Sequence, residues 1–292
     1  VPAAHPPTST GDVDPSFTFH YVQLDLPEEA GPDRRPTTYW DVERGMRGPE
    51  PRPDWLVVDA GAVDTELGVL KTGKEADVFL LERAAETPYA ARPRESCLLA
   101  AKRYRDAQHR AFHRDSLYVE GRGVRRSRDQ RALARRSDYG RQVAAGQWAQ
   151  AEWVALRTAW EAGVPVPYPV SLQGTELLME FAGTPDGTAA PRLAQTRAEG
   201  ELLAHCWEQV VQIVLGMAAL GWAHGDLSAY NLLLHGEVVL AIDLPQVVDV
   251  VANPQGPQLL HRDCANVAAW FAARGLEADG DALFAEAVGL AL

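Results

Sequence analysis

The chain has 292 residues, 46% of them hydrophobic, and a formal net charge of −12. That is enough apolar material for one large domain or two lobes. Three scattered cysteines, Cys97, Cys206 and Cys264, argue against a disulfide framework or a zinc site. The longest near-apolar run, Val210 to Ala223, is shorter than a membrane span and contains Gln212, and no signal-peptide pattern opens the sequence. A cytoplasmic setting without a membrane partner is therefore expected.

Residues 1 to 53 are rich in proline and read as an arm on a globular body, with one short alternating segment, Phe17 to Leu26, that suits a strand. From Leu67 the pattern "LGVLKTGKEADVFLLE" predicts strand, turn, strand, with Thr72-Gly73-Lys74 at the turn. Ser96 to Arg105 predicts a third strand. A basic island follows: Lys102 to Arg141 holds 13 Lys/Arg against 5 Asp/Glu, a local +8 that leaves −20 for the rest. It suits contact with phosphates, RNA or an acidic partner. Next, Val143, Trp148, Trp153, Leu156 and Trp160 recur at helical spacing up to Gly163. Two short strands are expected at Tyr168 to Leu172 and Glu176 to Phe181, then a long apolar helix from about Glu199 to Leu220, and two more helices near Cys264 to Arg274 and Gly280 to Leu290. Strands dominate before Gly183 and helices after it, which suggests two lobes with a crevice between them.

The stretch "GWAHGDLSAYNLLLHGEVVLAIDL" places Asp226, Asn231 and Asp243 among residues that otherwise read as core. A short hairpin would hold all three at one edge. Phosphoryl transfer needs such a set: one carboxylate to orient and deprotonate the attacking hydroxyl, and a carboxamide and second carboxylate to hold the metal that bridges the phosphates. Lys102 sits in an apolar strand and Glu152 in the middle of the tryptophan-rich helix, where an unpaired inward carboxylate is costly. Pairing the two would aim the lysine at phosphates. "KTGKEADV" is a tight glycine turn that brings backbone N–H groups near a phosphate, but it is neither a P-loop nor G-x-G-x-x-G. The literal triplet His261-Arg262-Asp263 lacks the Asn spacing and the following strand, and is expected to open a helix with Asp263 near its N-terminus.

"TGKEADVFL", "LLAAKRYR", "YVEGRGVRRS" with "WAQAEW", "GWAHGDLSAYNLLL", "AIDLPQVVDV" and "HRDCANVAAWF" together resemble the RIO family of atypical serine/threonine protein kinases, and within it the first of two main subfamilies. The resemblance implies an α+β, bilobal protein-kinase-like fold without an activation segment. It divides the chain into a Pro-rich arm (1–53), an N-lobe of antiparallel sheet plus one helix (54–182, with a flexible basic loop at about 106–140) and a mostly helical C-lobe (183–292). It implies ATP and magnesium as cofactors, with manganese as a substitute, and an unidentified protein substrate. Asp226 takes the place of the catalytic Asp. Asn231 and Asp243 take those of the magnesium ligands, and Asp243 is in the family a residue that can itself be phosphorylated. Lys102, paired with Glu152, meets the ATP phosphates. Thr72, Gly73, Lys74 and Glu75 form the phosphate-facing loop, with Val78 beside them, and Met179, Glu180 and Phe181 form the hinge that meets adenine. Two positions depart from the family pattern: Lys71 and Pro245 each stand where a Ser is usual.

Two other functions share these residues. One is an ATP-hydrolysing assembly factor with little kinase activity, a role that relatives play in ribosome maturation. The other is a small-molecule phosphotransferase of the aminoglycoside type, a group without the TGKEA and DCANV segments. The basic island yields an expectation of its own. Its core, Tyr118 to Arg136, has seven arginines among few apolar residues, too little apolar surface to order itself, and triphosphate or an acidic partner could order it by charge-assisted contacts. Ser127 and Ser137 are then autophosphorylation candidates. Trypsin should cut these arginines quickly in the free protein and more slowly with magnesium and a non-hydrolysable ATP analogue; unchanged cutting would leave only partner binding.

Overall fold

The structure, a computed structural model, describes residues 33–85, 95–105 and 138–292. The expected strand at Phe17 to Leu26, most of the basic island, and Ser127 and Ser137 lie outside the described residues.

Six strands form one antiparallel sheet: β1 (Arg34–Pro36), β2 (Val63–Thr72), β3 (Ala76–Ala84), β4 (Ser96–Tyr104), β5 (Pro169–Gln173) and β6 (Glu176–Glu180), in the order β1-β2-β3-β4-β6-β5. The edge strand β1 comes from within the expected arm and pairs with β2. The alternation in "SCLLAAKRY" sorts the two faces. Cys97, Leu99 and Ala101 point one way and join Leu81, Tyr168, Val170 and Leu178, covered by Tyr39, Leu56 and Val57. Ala100, Lys102 and Tyr104 point the other way. Register puts Val78 opposite Lys102, Lys71 opposite Val78 and Met179 opposite Ala100, so these residues share that second face. Helix α1 (Asp138–Glu161) follows β4 and packs on this side through Ala149, Trp153 and Leu156.

The remaining half is built on α2 (Gly200–Ala219), whose Leu203, Cys206, Val210, Ile213, Val214 and Met217 are buried. By length and composition α2 could cross a membrane, but this stripe is the spine of a core shared with the later elements. After α2 come β7 (Trp222–Ala223), the hairpin of β8 (Leu232–His235) and β9 (Val238–Ala241), β10 (Val248–Asp249) paired with β7, and helices α3 (Gly256–Ala272) and α4 (Gly280–Ala291). The fold is bilobal, α+β and protein-kinase-like, with a mostly helical second half.

One boundary differs from expectation. Helix α3 starts at Gly256, eight residues before Cys264. Pro257 sits in the first turn, where a helix tolerates proline because no N–H is needed there. Gly256 fits because a side chain at that position would strike the Val250 carbonyl at 2.3 Å. Asp263 therefore lies in the interior of α3 and not near its start.

The outer face of the sheet hides a charge pair. Arg83 donates through Nε to Asp64 Oδ1 at 2.6 Å and through Nη2 to Asp64 Oδ2 at 2.9 Å, and both residues are almost fully buried. Breaking a buried pair leaves one charge uncompensated in a low-dielectric surround. Asp64→Ala should lower the unfolding free energy by about 3–5 kcal/mol, read by urea denaturation, whereas the double change Asp64→Leu with Arg83→Met should lose much less.

Candidate active site

The site begins at Lys102 in β4. Its Nζ donates to Glu152 Oε1 of α1 at 2.7 Å and to Asp243 Oδ1 at 2.6 Å, so the expected Lys102–Glu152 pair is present and a third partner joins it. The second oxygen of Glu152 accepts from the Tyr104 hydroxyl, two residues along the same strand face. Burial pushes the Lys102 ammonium down, but the carboxylates of Asp243 and Glu152 more than reverse this and hold it well above its ordinary value. Burial and Glu152 push the Tyr104 hydroxyl well up. The Lys102 ammonium holds the Asp243 carboxyl well below the usual carboxylate range against its partial burial, with help from Lys71.

Asp243 lies two residues past the end of β9 and takes a left-handed backbone conformation, φ 62°. Asp and Asn tolerate that region better than other side-chain-bearing residues. Its other oxygen accepts from Lys71 Nζ at 3.4 Å. Partial burial lowers the Lys71 ammonium, Asp243 opposes this, and Arg192 and Lys102 add to it. Arg192 is itself fixed by donating to the Tyr230 carbonyl.

The loop that carries Asp226 is tied to Ile242, just past β9, by two bonds. Ile242 N–H donates to the Asn231 carbonyl at 3.0 Å. His224, 2% exposed, accepts the Asp226 N–H at Nδ1 (3.4 Å) and contacts the Ile242 carbonyl through Nε2 (3.0 Å). These two contacts together match a proton on Nε2. Asn231 donates through Nδ2 to the Asp226 carbonyl at 2.8 Å, which commits the nitrogen and keeps its side-chain oxygen as an acceptor.

Helix α3 grips the same loop from below, which the sequence reading missed. Asp263 accepts from Gly225 N–H at 2.7 Å and Leu227 N–H at 2.9 Å, the two amides that flank Asp226. Arg262 donates to the Gly225 carbonyl and Asn266 to the Leu227 carbonyl. Arg262 and Asp263 of the triplet set aside as a helix start, with Asn266, thus clamp the loop. The signal that could have found it is a carboxylate between Leu260 and Cys264 on a buried helix face, where an unpartnered Asp is costly.

The glycine turn between β2 and β3 closes tightly: Gly73 N–H donates to the Ala76 carbonyl at 3.0 Å, and a side chain at Gly73 would meet that oxygen at 2.8 Å. Glu75 lies within electrostatic reach of Lys102, Asp243, Asp226 and Lys71, so the turn overhangs the site. Thr72 and Lys74 are exposed. Met179 lies on the cleft face of the sheet. Glu180 turns to the outer face, where its carboxylate accepts from Tyr168 N–H at 3.0 Å, and Phe181 is buried. Among the described residues no cluster of three or more His, Cys, Asp or Glu forms a metal site.

Residues 89–283 match the RIO domain. The chain is 36% identical over 231 residues to the RIO-type serine/threonine-protein kinase Rio1 of Haloferax volcanii, covering 79% of this chain and 71% of that relative. The chain belongs to the RIO family. It is also 30% identical to the serine/threonine-protein kinase RIO3 of Mus musculus, over 76% of this chain but 41% of that one. Among solved structures, the RIO chain is similar to the Rio2 kinase of Chaetomium thermophilum in its ADP/Mg2+-phosphoaspartate complex. The TM-score is 0.53 at 19% identity, covering 76% of this chain and 61% of the other.

The α3 clamp sets an expectation for this RIO domain. Asp263→Ala frees two amides on either side of Asp226, and a displacement of about 1 Å in a reacting group costs on the order of 10²-fold in rate. Phosphoryl transfer should fall by about that factor while nucleotide affinity, read by calorimetry, changes by less than about threefold.

Proposed function

We propose that the chain is an ATP- and magnesium-dependent RIO-type kinase that transfers phosphate to protein Ser/Thr hydroxyls or to itself. The observation that carries this is the convergence of Lys102, Glu152 and Asp243 beside the loop of Asp226 and Asn231. Lys102, oriented by Glu152, is placed to meet the phosphates of ATP, beneath the turn of Thr72, Gly73, Lys74 and Glu75. Val78, Ala100 and Met179 share its sheet face, and the hinge segment from Met179 to Phe181 closes the same end as the adenine side. Asp226 is the group that orients the acceptor hydroxyl and takes its proton.

The donor set fits magnesium. It offers a carboxylate at Asp243 and a carboxamide oxygen at Asn231, both hard oxygen ligands, and too few of them for a self-sufficient cage. Magnesium is commonly held by one or two carboxylates together with substrate phosphates. Bound there, it would neutralise charge developing on the transferred phosphoryl group. The related Rio2 structure carries a phosphoaspartate, and Asp243 is the residue of this chain that we assign to that role. The basic island is the segment proposed to meet an acidic partner or RNA.

The two aspartates should separate in experiment. Asp226→Asn should keep magnesium-dependent ATP binding and lower phosphoryl transfer by about 10²–10⁴-fold; Asp243→Asn should lose the magnesium-dependent part of binding as well. Labelled ATP with and without candidate proteins reads transfer against plain hydrolysis. Equal turnover by wild type and Asp226→Asn would refute the role of Asp226, and hydrolysis without any labelled protein would favour the assembly-factor function.

A further inference from the structure

Asp243 has both carboxylate oxygens engaged by lysines that come from two different strands. Lys102 approaches from β4 and Lys71 from β2, with β3 between them. The two lysines are not equivalent. Lys102 is 8% exposed and has Glu152 as a second anchor. Lys71 has a side chain that is 40% exposed, and its ion pair with Asp243 is longer, 3.4 Å against 2.6 Å. It also stands at the end of a strand with two irregularities: the register slips between Glu66 and Gly68 and again between Val69 and Lys71, leaving Leu67 and Leu70 as extra residues. Such bulges bend a strand and re-aim the side chains beyond them. The second one points Lys71 across the cleft. Arg192, fixed to the catalytic loop, lies within electrostatic reach of both Lys71 and Asp243.

A cation entering at Asp243 competes with these lysines for the carboxylate, and Lys71, held by the longer and more exposed pair, is the one free to leave. Its ammonium is repelled by a divalent cation and attracted by a triphosphate. Resting on the kinase reading, we propose that Lys71 is a positioning residue that couples nucleotide to metal. Without nucleotide it competes with the divalent cation for Asp243. When the triphosphate binds, Lys71 transfers to the phosphates and releases Asp243 to the metal, so that each ligand raises the affinity for the other. The small number of protein ligands at the site points the same way, because a metal held partly by phosphate gains little until phosphate is present. Linkage makes the effect reciprocal, so it can be read from either ligand.

The experiment uses the intact chain and a fluorescent, non-hydrolysable ATP analogue titrated in EDTA and in saturating magnesium. The ratio of the two dissociation constants is the coupling factor, and comparing proteins at identical salt cancels metal binding by the free nucleotide. An exposed ion pair is worth a few tenths to one kcal/mol, so Lys71→Met should reduce the factor by about two- to fivefold. The same variant should bind the analogue more weakly in EDTA, and magnesium alone should raise its melting temperature more than that of wild type. Lys71→Arg should retain the wild-type factor. Melting of each variant in EDTA checks that it is folded. A coupling factor in Lys71→Met equal to that of wild type would overturn the proposal while leaving the kinase reading intact; wild-type protein that binds no nucleotide with magnesium would instead sink the kinase reading.

Discussion

A single buried ammonium sets the relation between the two lobes. Lys102 joins the central strand of the sheet, the helix that packs on it and the loop after the β8–β9 hairpin. Removing such a charge from water is unfavourable, and only the two carboxylates make it tolerable. The neighbouring architecture serves that meeting. The small side chain of Ala100 leaves room on that face, Tyr104 fills the second oxygen of Glu152, and Asp243 adopts a backbone conformation that few residues accept.

The two loops of the site are referenced to different halves of the molecule. The Asp226 loop is clamped by Arg262, Asp263 and Asn266 of α3. The Asp243 carboxylate is held by lysines of the sheet, while its backbone stays tied to the Asp226 loop through Ile242 and His224. A change in the angle between the lobes would therefore alter the surroundings of Asp243 far more than those of Asp226. Lobe motion, where it occurs, acts on the Asp243 side of the site and leaves the Asp226 loop in place.

Much of this was legible in the residues because the signals are local. Lys102 stood out as a lysine in an apolar strand and Glu152 as a carboxylate in the middle of the tryptophan-rich helix, and the turn at Thr72-Gly73-Lys74 joined the right pair of strands. The contacts that were not legible are those that close over long separations or through the backbone. Asp263 reaches amides 36 and 38 residues away and leaves no periodic trace. Lys71 could be read as an added charge near the phosphates, but its partner depends on the bulge at Leu70, which no residue pattern announces. The helix expected near Cys264 starts eight residues earlier, with Pro257 in its first turn.

The apolar stripe of α2 has a consequence for how the chain is made. Of what buries Leu203, Val210, Ile213 and Met217, a large part is supplied by residues translated later: the β8–β9 hairpin with Leu232 and Val239, then Leu259, Cys264, Val267 and Phe271 of α3, and Leu283 and Ala287 of α4. As α2 leaves the ribosome it is a twenty-residue helix as apolar as a membrane span, still waiting for these partners. Sheet strands made earlier can pair at once, but this half cannot finish folding until Leu232 to Ala287 have emerged. During that interval the nascent chain exposes an apolar stripe, and how soon α3 and α4 arrive sets how long it stays uncovered.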